Sequence, residues 1–316
     1  MLRGTVNQKL ISLGKRVTPP CFYPFIYRNL IAWRMQRRNP KGPSLILSYY
    51  SKIDVDIDVS EVLDYIEGYG LTMLPYKWAE LFNENKTPKY DSIVVFHDEK
   101  LNLPYVLLDK KRLYFPNSMD ENDIKIIYYT SQEIEQNPKS PHCYLMDDFN
   151  VKDDDIVVDC GAAEGNFGLD VINRVRKLYL FEPEEQWIKP LHATFAPWKN
   201  KVVIVQKYLS DATDEINITL DDYFSDKEHP TFLKLDVEGF EERLLLGAKG
   251  LLSSKNLKNV VTCTYHKQDD EEKLGTLLRS HGFTTTPSSG YIIAIWDKLY
   301  PPYLRRGVIR ATKESK

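Results

Sequence analysis

Three clusters of residues have the types and spacing to do chemistry. The first is Asp159-Cys-Gly161-Ala162-Ala-Glu-Gly165-Asn166-Phe-Gly168, directly after the apolar run Ile156-Val-Val. Glycines at the end of a buried strand let the backbone approach a ligand closely. The helix that follows turns amide hydrogens and a positive dipole end toward a carboxylate or phosphate. The spacing is G-x-x-x-G-x-x-G, not the G-x-G-x-x-G of dinucleotide binders, which points away from NAD. A tight strand-to-helix turn without a ligand would use the same glycines. The second cluster is Glu182-Pro183, after Leu178-Tyr-Leu-Phe181 and 21 residues beyond Gly161. An acid at about this distance can accept both ribose hydroxyls of an adenosine, and Pro183 stops the strand's pairing.

The third cluster, Lys234-Leu-Asp236-Val-Glu238-Gly239, is the most unusual. In an extended strand alternate side chains share a face, so Lys234, Asp236 and Glu238 are expected on one side. An unpaired charge on a buried strand costs several kcal/mol. Either Lys234 pairs with Asp236 or Asp159 and ties the strand ends together, or the carboxylates line a pocket and orient an acceptor. The two readings are compatible.

Residues 153–296 supply the elements that would position these clusters. Short apolar runs (Ile156-Val-Val-Asp159, Leu178-Tyr-Leu-Phe181, Val202-Val-Ile-Val205, Thr231-Phe-Leu-Lys-Leu-Asp236, Asn259-Val-Val-Thr-Cys-Thr264) alternate with helical spacing such as Phe167, Val171, Ile172 and Val175. The helix before the last strand is capped by Asp269 or Asp270, buries Leu274, Leu277 and Leu278, and stops at Gly282. Tyr291-Ile-Ile-Ala-Ile-Trp296 is read as the final strand. Strands alternating with helices mean a mostly parallel sheet covered on both faces, with ligands at the carboxyl ends of its strands.

Upstream, Asn39-Pro-Lys-Gly-Pro43 breaks the chain. The stretch 59–70 predicts a helix with Val62, Leu63 and Ile66 on one face. Ser92-Ile-Val-Val-Phe96, Tyr105-Val-Leu-Leu108, Arg112-Leu-Tyr-Phe115 and Ile124-Lys-Ile-Ile-Tyr-Tyr129 are β-rich, with a hairpin turn at Asp109-Lys-Lys111. The organisation expected is a basic arm over 1–43, a small α+β domain over 44–150, an α/β domain over 151–300 and a tail over 301–316.

The totals exclude little. The net charge is −3 over 316 residues, yet residues 1–43 carry nine Lys and Arg before the first acid, Asp54. Such a block is a solvated arm or a contact for an anionic surface. No apolar run is long enough for a leader or a membrane span. Cys21, Cys143, Cys160 and Cys263 are scattered, which suits reduced thiols in the cytoplasm and argues against a zinc site.

Together DIVVDCGAAEGNFGL, LFEP, TLDDYF and FLKLDVEGFEERLLLGA resemble the FkbM-type family of S-adenosylmethionine-dependent methyltransferases. The resemblance implies a Rossmann-like class I methyltransferase domain with a mostly parallel seven-stranded sheet, preceded by the small α+β domain. It implies that Asp159, Gly161, Ala162, Gly165 and Asn166 form the cofactor loop, that Glu182 meets the ribose, and that Asp236 sits beside the cofactor. The family mostly methylates hydroxyl oxygens, often on sugars. Where many members carry a glutamate after the fifth strand, this chain reads Thr264-Tyr265-His266, so the base stays open: His266 first, then Asp236 or Glu238. Residues 135–144 also resemble a segment of one bacterial branch, placed to fold over the pocket; a Pro-rich surface linker would read the same.

An Asn/Asp-Pro-Pro-Tyr-type motif of N-methyltransferases is absent; Asp236-Val-Glu-Gly239 holds its place. Nucleic acid is not the expected partner, since only residues 1–43 are basic. The expected function is O-methylation of a sugar or related metabolite. The alternatives are a non-catalytic S-adenosylmethionine-binding scaffold and a different acceptor atom. No ligand cluster in the sequence compels a divalent metal.

Overall fold

β-Branched and aromatic residues fit a pleated, buried surface, and each of the seven strands of the main sheet carries them. In the computed structural model, which describes residues 39, 41–79 and 88–313, the strands are β1 (Ile156–Cys160), β2 (Lys177–Phe181), β3 (Val202–Val205), β4 (Phe232–Leu235), β5 (Asn259–Cys263), β6 (Thr284–Pro287) and β7 (Val308–Thr312). Their order is β6-β7-β5-β4-β1-β2-β3. β7 runs against both its neighbours, and the other pairings are parallel. The winding reverses between β1 and β4, where Asp159 lies in register with Lys234 and Cys160 with Leu235. A reversal of this kind opens a crevice at the carboxyl ends of the strands. Val158, Cys160, Leu233 and Leu235 bury one face of the sheet against Leu244, Leu245, Leu274 and Leu278. Each fully buried leucine stabilises the fold by about 1.5–3 kcal/mol.

The chain divides into two units, residues 1–91 with 293–303, and residues 92–292 with 304–316. In the first unit the helices Gly42–Tyr50 and Ile57–Tyr69 bury Ile46, Tyr50, Val59, Val62, Tyr65 and Ile66. Pro43 stands in the opening turn of the first helix, where its missing N–H costs nothing. Asp56 caps the second, its carboxylate accepting from the Val59 amide at 2.8 Å. Residues 1–38 of the expected basic arm, Cys21 among them, lie outside the described residues.

The second unit holds the main sheet and more of the upstream chain than the sequence boundary at 150 allowed. Strands Phe96–Asp98, Leu103–Leu108 and Lys111–Tyr114 form an antiparallel meander. Its hairpin turns on Asp109 and Lys110, both at positive φ, as a two-residue turn matched to strand twist requires. The meander is fixed to the helix Glu185–Phe195 between β2 and β3: the Tyr114 amide donates to Thr194 Oγ1 at 3.0 Å, and Lys189 Nζ to the Leu101 carbonyl at 2.7 Å. Phe115 meets Trp187 edge-on.

Two elements correct the sequence reading. Ile124–Tyr129 is not a strand but part of the helix Glu121–Tyr129, which continues as π-helix through Thr130–Glu135. The Asp120 carboxylate caps it from the Asp123 amide at 2.9 Å, a local signal that outweighs the β-branched composition. Nor does 291–296 end the sheet: only Ile292–Ile293 is extended there, and the last strand is β7, inside the stretch read as a tail. Val308, Ile309 and Ala311 are buried because β7 inserts between β5 and β6. Among the described residues no helix is long and apolar enough to cross a membrane.

Candidate active site

The carboxyl ends of β1, β2, β4 and β5 bring most of the expected residues together. Gly161 follows β1 at φ +80, and a Cβ there would lie 1.9 Å from the Asp236 carbonyl oxygen. Only glycine lets β1 and β4 end this close together. The amides of Gly161 and Ala162 both donate to the Phe181 carbonyl, at 3.0 and 3.1 Å, which locks the loop to the end of β2. Gly165 is also left-handed, φ +83, and its amide donates to the Ala162 carbonyl at 2.7 Å. Asn166 begins the helix Asn166–Val171, its side chain accepting from the Phe167 amide at 2.7 Å.

Glu182 is 4% exposed. One carboxylate oxygen accepts from the Ala163 amide and the other from the Glu184 amide, each at 2.8 Å. Burial raises its pKa, while the two backbone donors pull the other way. The side chain is therefore held in one orientation at the edge of the glycine loop.

Lys234 and Asp159 resolve the alternation puzzle in favour of pairing. Lys234 Nζ lies 2.9 Å from Asp159 Oδ1 and donates to the Gly161 carbonyl at 2.8 Å, with the Tyr144 ring 5.2 Å away. Burial works against the ammonium, but Asp159 and then Asp236 outweigh it and hold its pKa above the usual value. Asp236, just past β4, accepts a 2.6 Å hydrogen bond from Tyr144 Oη. Burial pushes this carboxyl up, yet Lys234, His142 and His266 together bring it down to about 2. Asp236 is an anion throughout the physiological range.

Glu238 does not continue the strand's face. It sits at φ +52 on the turn before Gly239, and its side chain is 91% exposed. His266, three residues past β5, is brought in beside both acids: its Nε2 lies 3.6 Å from Asp236 Oδ1 and 3.7 Å from Glu238 Oε2. Its Nδ1 lies 3.0 Å from Glu241 Oε1. Burial lowers the imidazole pKa, but Glu241, Asp236 and Glu238 more than offset this and raise it. Arg305 Nη1 donates to the carbonyls of Tyr265 and His266, both at 2.8 Å, and so fixes the loop that carries the ring.

Residues 135–144 reach the site. Arg310 on β7 donates to the carbonyls of Cys143 and Tyr144, at 2.6 and 3.2 Å. His142, 1% exposed, places Nε2 3.1 Å from Tyr265 Oη and 3.9 Å from Asp236 Oδ2. Sequence reasoning gave no role to Tyr144 or Glu241. Glu241 opens the helix Glu241–Leu246, fully buried, and its Oε1 accepts from the Val237 amide at 2.9 Å. An acid two residues after a glycine turn at a strand end was the available signal.

A seven-stranded sheet with one reversed strand, a glycine loop after β1 and an acid after β2 define a class I methyltransferase fold. Residues 133–287 match the model of the methyltransferase FkbM domain. Among solved structures, the chain is similar to methyltransferase FkbM from Methylobacillus flagellatus KT, at 18% identity and TM-score 0.43. The likeness covers 61% of this chain and 55% of that one, so the chain spans little more than half its length. A precorrin-6y C5,15-methyltransferase from Geobacter metallireducens GS-15 is 15% identical with TM-score 0.36, over 52% of this chain and 83% of that one. A putative tRNA (m1A22) methyltransferase from Streptococcus pneumoniae, in complex with S-adenosyl-L-methionine, is 14% identical with TM-score 0.34, over 52% and 70%. No curated protein matches the chain.

Proposed function

We propose that this protein transfers the methyl group of S-adenosylmethionine to a hydroxyl oxygen of a sugar or related metabolite. The observation that carries the reading is Glu182, buried at the end of β2 and pinned by two amides beside a loop that only glycine can form at Gly161. That arrangement suits an adenosine ribose laid across the ends of β1 and β2. Gly161, Ala162, Gly165 and Asn166 would line the cofactor, and the Lys234–Asp159 pair would hold β4 against β1 beneath it. The setting is the cytoplasm, which accords with Cys143, Cys160 and Cys263 being free and buried.

When bound, S-adenosylmethionine supplies a methyl group that is already electrophilic on sulfur. This chain's residues must place the alcohol in line and take its proton. The proton falls to the cluster of His266, Asp236 and Glu238 at the ends of β4 and β5. The oxygen–carbon bond forms as the carbon–sulfur bond breaks, leaving a methyl ether and the demethylated cofactor.

The test is a labelled-methyl assay with the full chain and a panel of sugar and polyketide hydroxyl acceptors, the product mapped by NMR. We expect an O-methyl product and a loss of about 10²–10⁴-fold in turnover for His266→Ala at near-normal cofactor affinity. A methyl group found on nitrogen or carbon would overturn the oxygen assignment. Cofactor binding without turnover on any acceptor would favour a scaffold.

A further inference from the structure

Around His266 three polar atoms are buried without a hydrogen-bond partner among the described residues: ring nitrogen Nε2, Asp236 Oδ1 and Glu241 Oε2, while Nδ1 faces Glu241 Oε1 at 3.0 Å. Buried polar atoms are normally satisfied, and a group of them at one point calls for a missing partner. These atoms belong to three residues with metal-binding chemistry. One ligand atom each from Asp236, Glu241 and His266 lies within 4.8 Å of the others. Side-chain exposure is 8% for His266, 1% for Glu241 and 19% for Asp236, so the cluster is inside the protein and not a patch of solvated acids.

We propose that Asp236, Glu241 and His266 form a binding site for a first-row divalent cation, of which Mn²⁺ and Zn²⁺ are the type. Three arguments converge on it. The first is spacing. Two ligand atoms each about 2.1 Å from one ion stand about 3.0–3.4 Å apart. Asp236 Oδ1 and His266 Nε2 are at 3.6 Å, so closing on an ion takes a shift of a few tenths of an ångström for this pair. The second is charge. Asp236, Glu238, Glu241 and Asp270 all act on the imidazole. Lys234, which acts on Asp236, is already engaged by Asp159. The third is donor type: an imidazole with carboxylates suits Mn²⁺ or Zn²⁺ better than the all-oxygen shells of Mg²⁺ and Ca²⁺.

The elements explain why these residues meet. Asp236 ends β4, Glu241 opens the helix after the Gly239 turn, and His266 arrives from the end of β5, the strand paired with β4. Glu241 Oε1 is occupied by the Val237 amide, which leaves Oε2 for the ion. The role of such an ion rests on the methyl-transfer reading; its binding does not. With His266 and Asp236 as ligands, Glu238, exposed on the rim, becomes the group left to take the alcohol's proton, and a carboxylate suffices where a cation lowers the pKa of the oxygen.

The experiment uses the full chain, stripped with chelator and dialysed, titrated with Mn²⁺, Zn²⁺, Mg²⁺ and Ca²⁺. Calorimetry and thermal melting are read out, with Mn²⁺ EPR on protein carrying ¹⁵N-histidine. We expect one Mn²⁺ or Zn²⁺ per chain, a raised Tm, and a nitrogen coupling that His266→Gln abolishes. Affinity should fall by about tenfold or more in His266→Gln and in Glu241→Gln. Asp236→Asn removes a buried negative charge that acts on Lys234 and so disturbs the fold as well as the site, and the case rests on the other two variants. No saturable Mn²⁺ or Zn²⁺ binding at millimolar metal, or binding unchanged in both variants, would overturn the site. S-adenosylmethionine affinity measured on the same stripped protein keeps the two readings apart: metal binding without cofactor binding defeats methyl transfer alone, and the reverse defeats the metal site alone.

Discussion

Glu164 shows how burial sets the charge of one residue in the glycine loop. It is 7% exposed, and burial, with nearby Glu135 adding to it, pushes its carboxyl up to about 7 against an unperturbed 4.5. A carboxyl raised in the folded state takes up a proton that the unfolded chain releases. Its stabilisation is therefore complete below pH 4.5 and lost as the pH rises through 7. Glu164→Gln removes that loss. The variant should melt close to wild type near pH 4.5 and above it at pH 8, by up to about 3 kcal/mol. Equal Tm differences at the two pH values would show that Glu164 is not buried as a neutral acid. Asp236, held down at about 2, adds no comparable slope in this range.

At the scale of elements, the crossing of β1 and β4 depends on Gly161. Alanine there would set Cβ 1.9 Å from the Asp236 carbonyl at φ +80, whereas Gly282, at φ +82, has nothing within 4 Å. Gly161→Ala should cost about 2–4 kcal/mol and disturb the cofactor loop, while Gly282→Ala should cost about 1 kcal/mol from backbone strain alone. Denaturant midpoints of the two variants check this, and equal losses would contradict the close approach. The strands β1 to β5 were legible because each is a short apolar run whose next residue breaks the pattern. Asp159, Gly161, Glu182 and Asp236 could be placed for the same reason: a motif at a strand end has few other places to go. β7 was not legible, because Val308-Ile-Arg-Ala-Thr312 follows two prolines and no helix, and its burial comes only from insertion between β5 and β6. The helix Glu121–Tyr129 hid behind isoleucines and tyrosines that favour strands, and its Asp120 cap was the outvoted signal. Glu241 and Tyr144 escaped because their partners, His266 and Asp236, are set by tertiary contact and by no spacing along the chain.

At the scale of the molecule, the candidate site belongs to one of the two units. The residues expected to bind the cofactor or move the proton all lie in the second unit, including the 135–144 segment and the loop fixed by Arg305. The family match ends at residue 287, yet the sheet is completed by β7 at 308–312, after the chain has contributed 293–303 to the first unit. The fold of the methyltransferase domain is thus interrupted in sequence but continuous in space. The proposed methyl transfer requires that the ends of β1 and β2 bind S-adenosylmethionine through the glycine loop and Glu182. Isothermal titration of the full chain with S-adenosylmethionine, its demethylated product and NAD, repeated on Glu182→Ala, tests this most directly. We expect both methionine-derived ligands to bind at one site, NAD not to bind, and Glu182→Ala to lose about 1.5–3 kcal/mol, since a charge-assisted contact to the ribose is removed. Tight NAD binding, or S-adenosylmethionine affinity unchanged in Glu182→Ala, would contradict it.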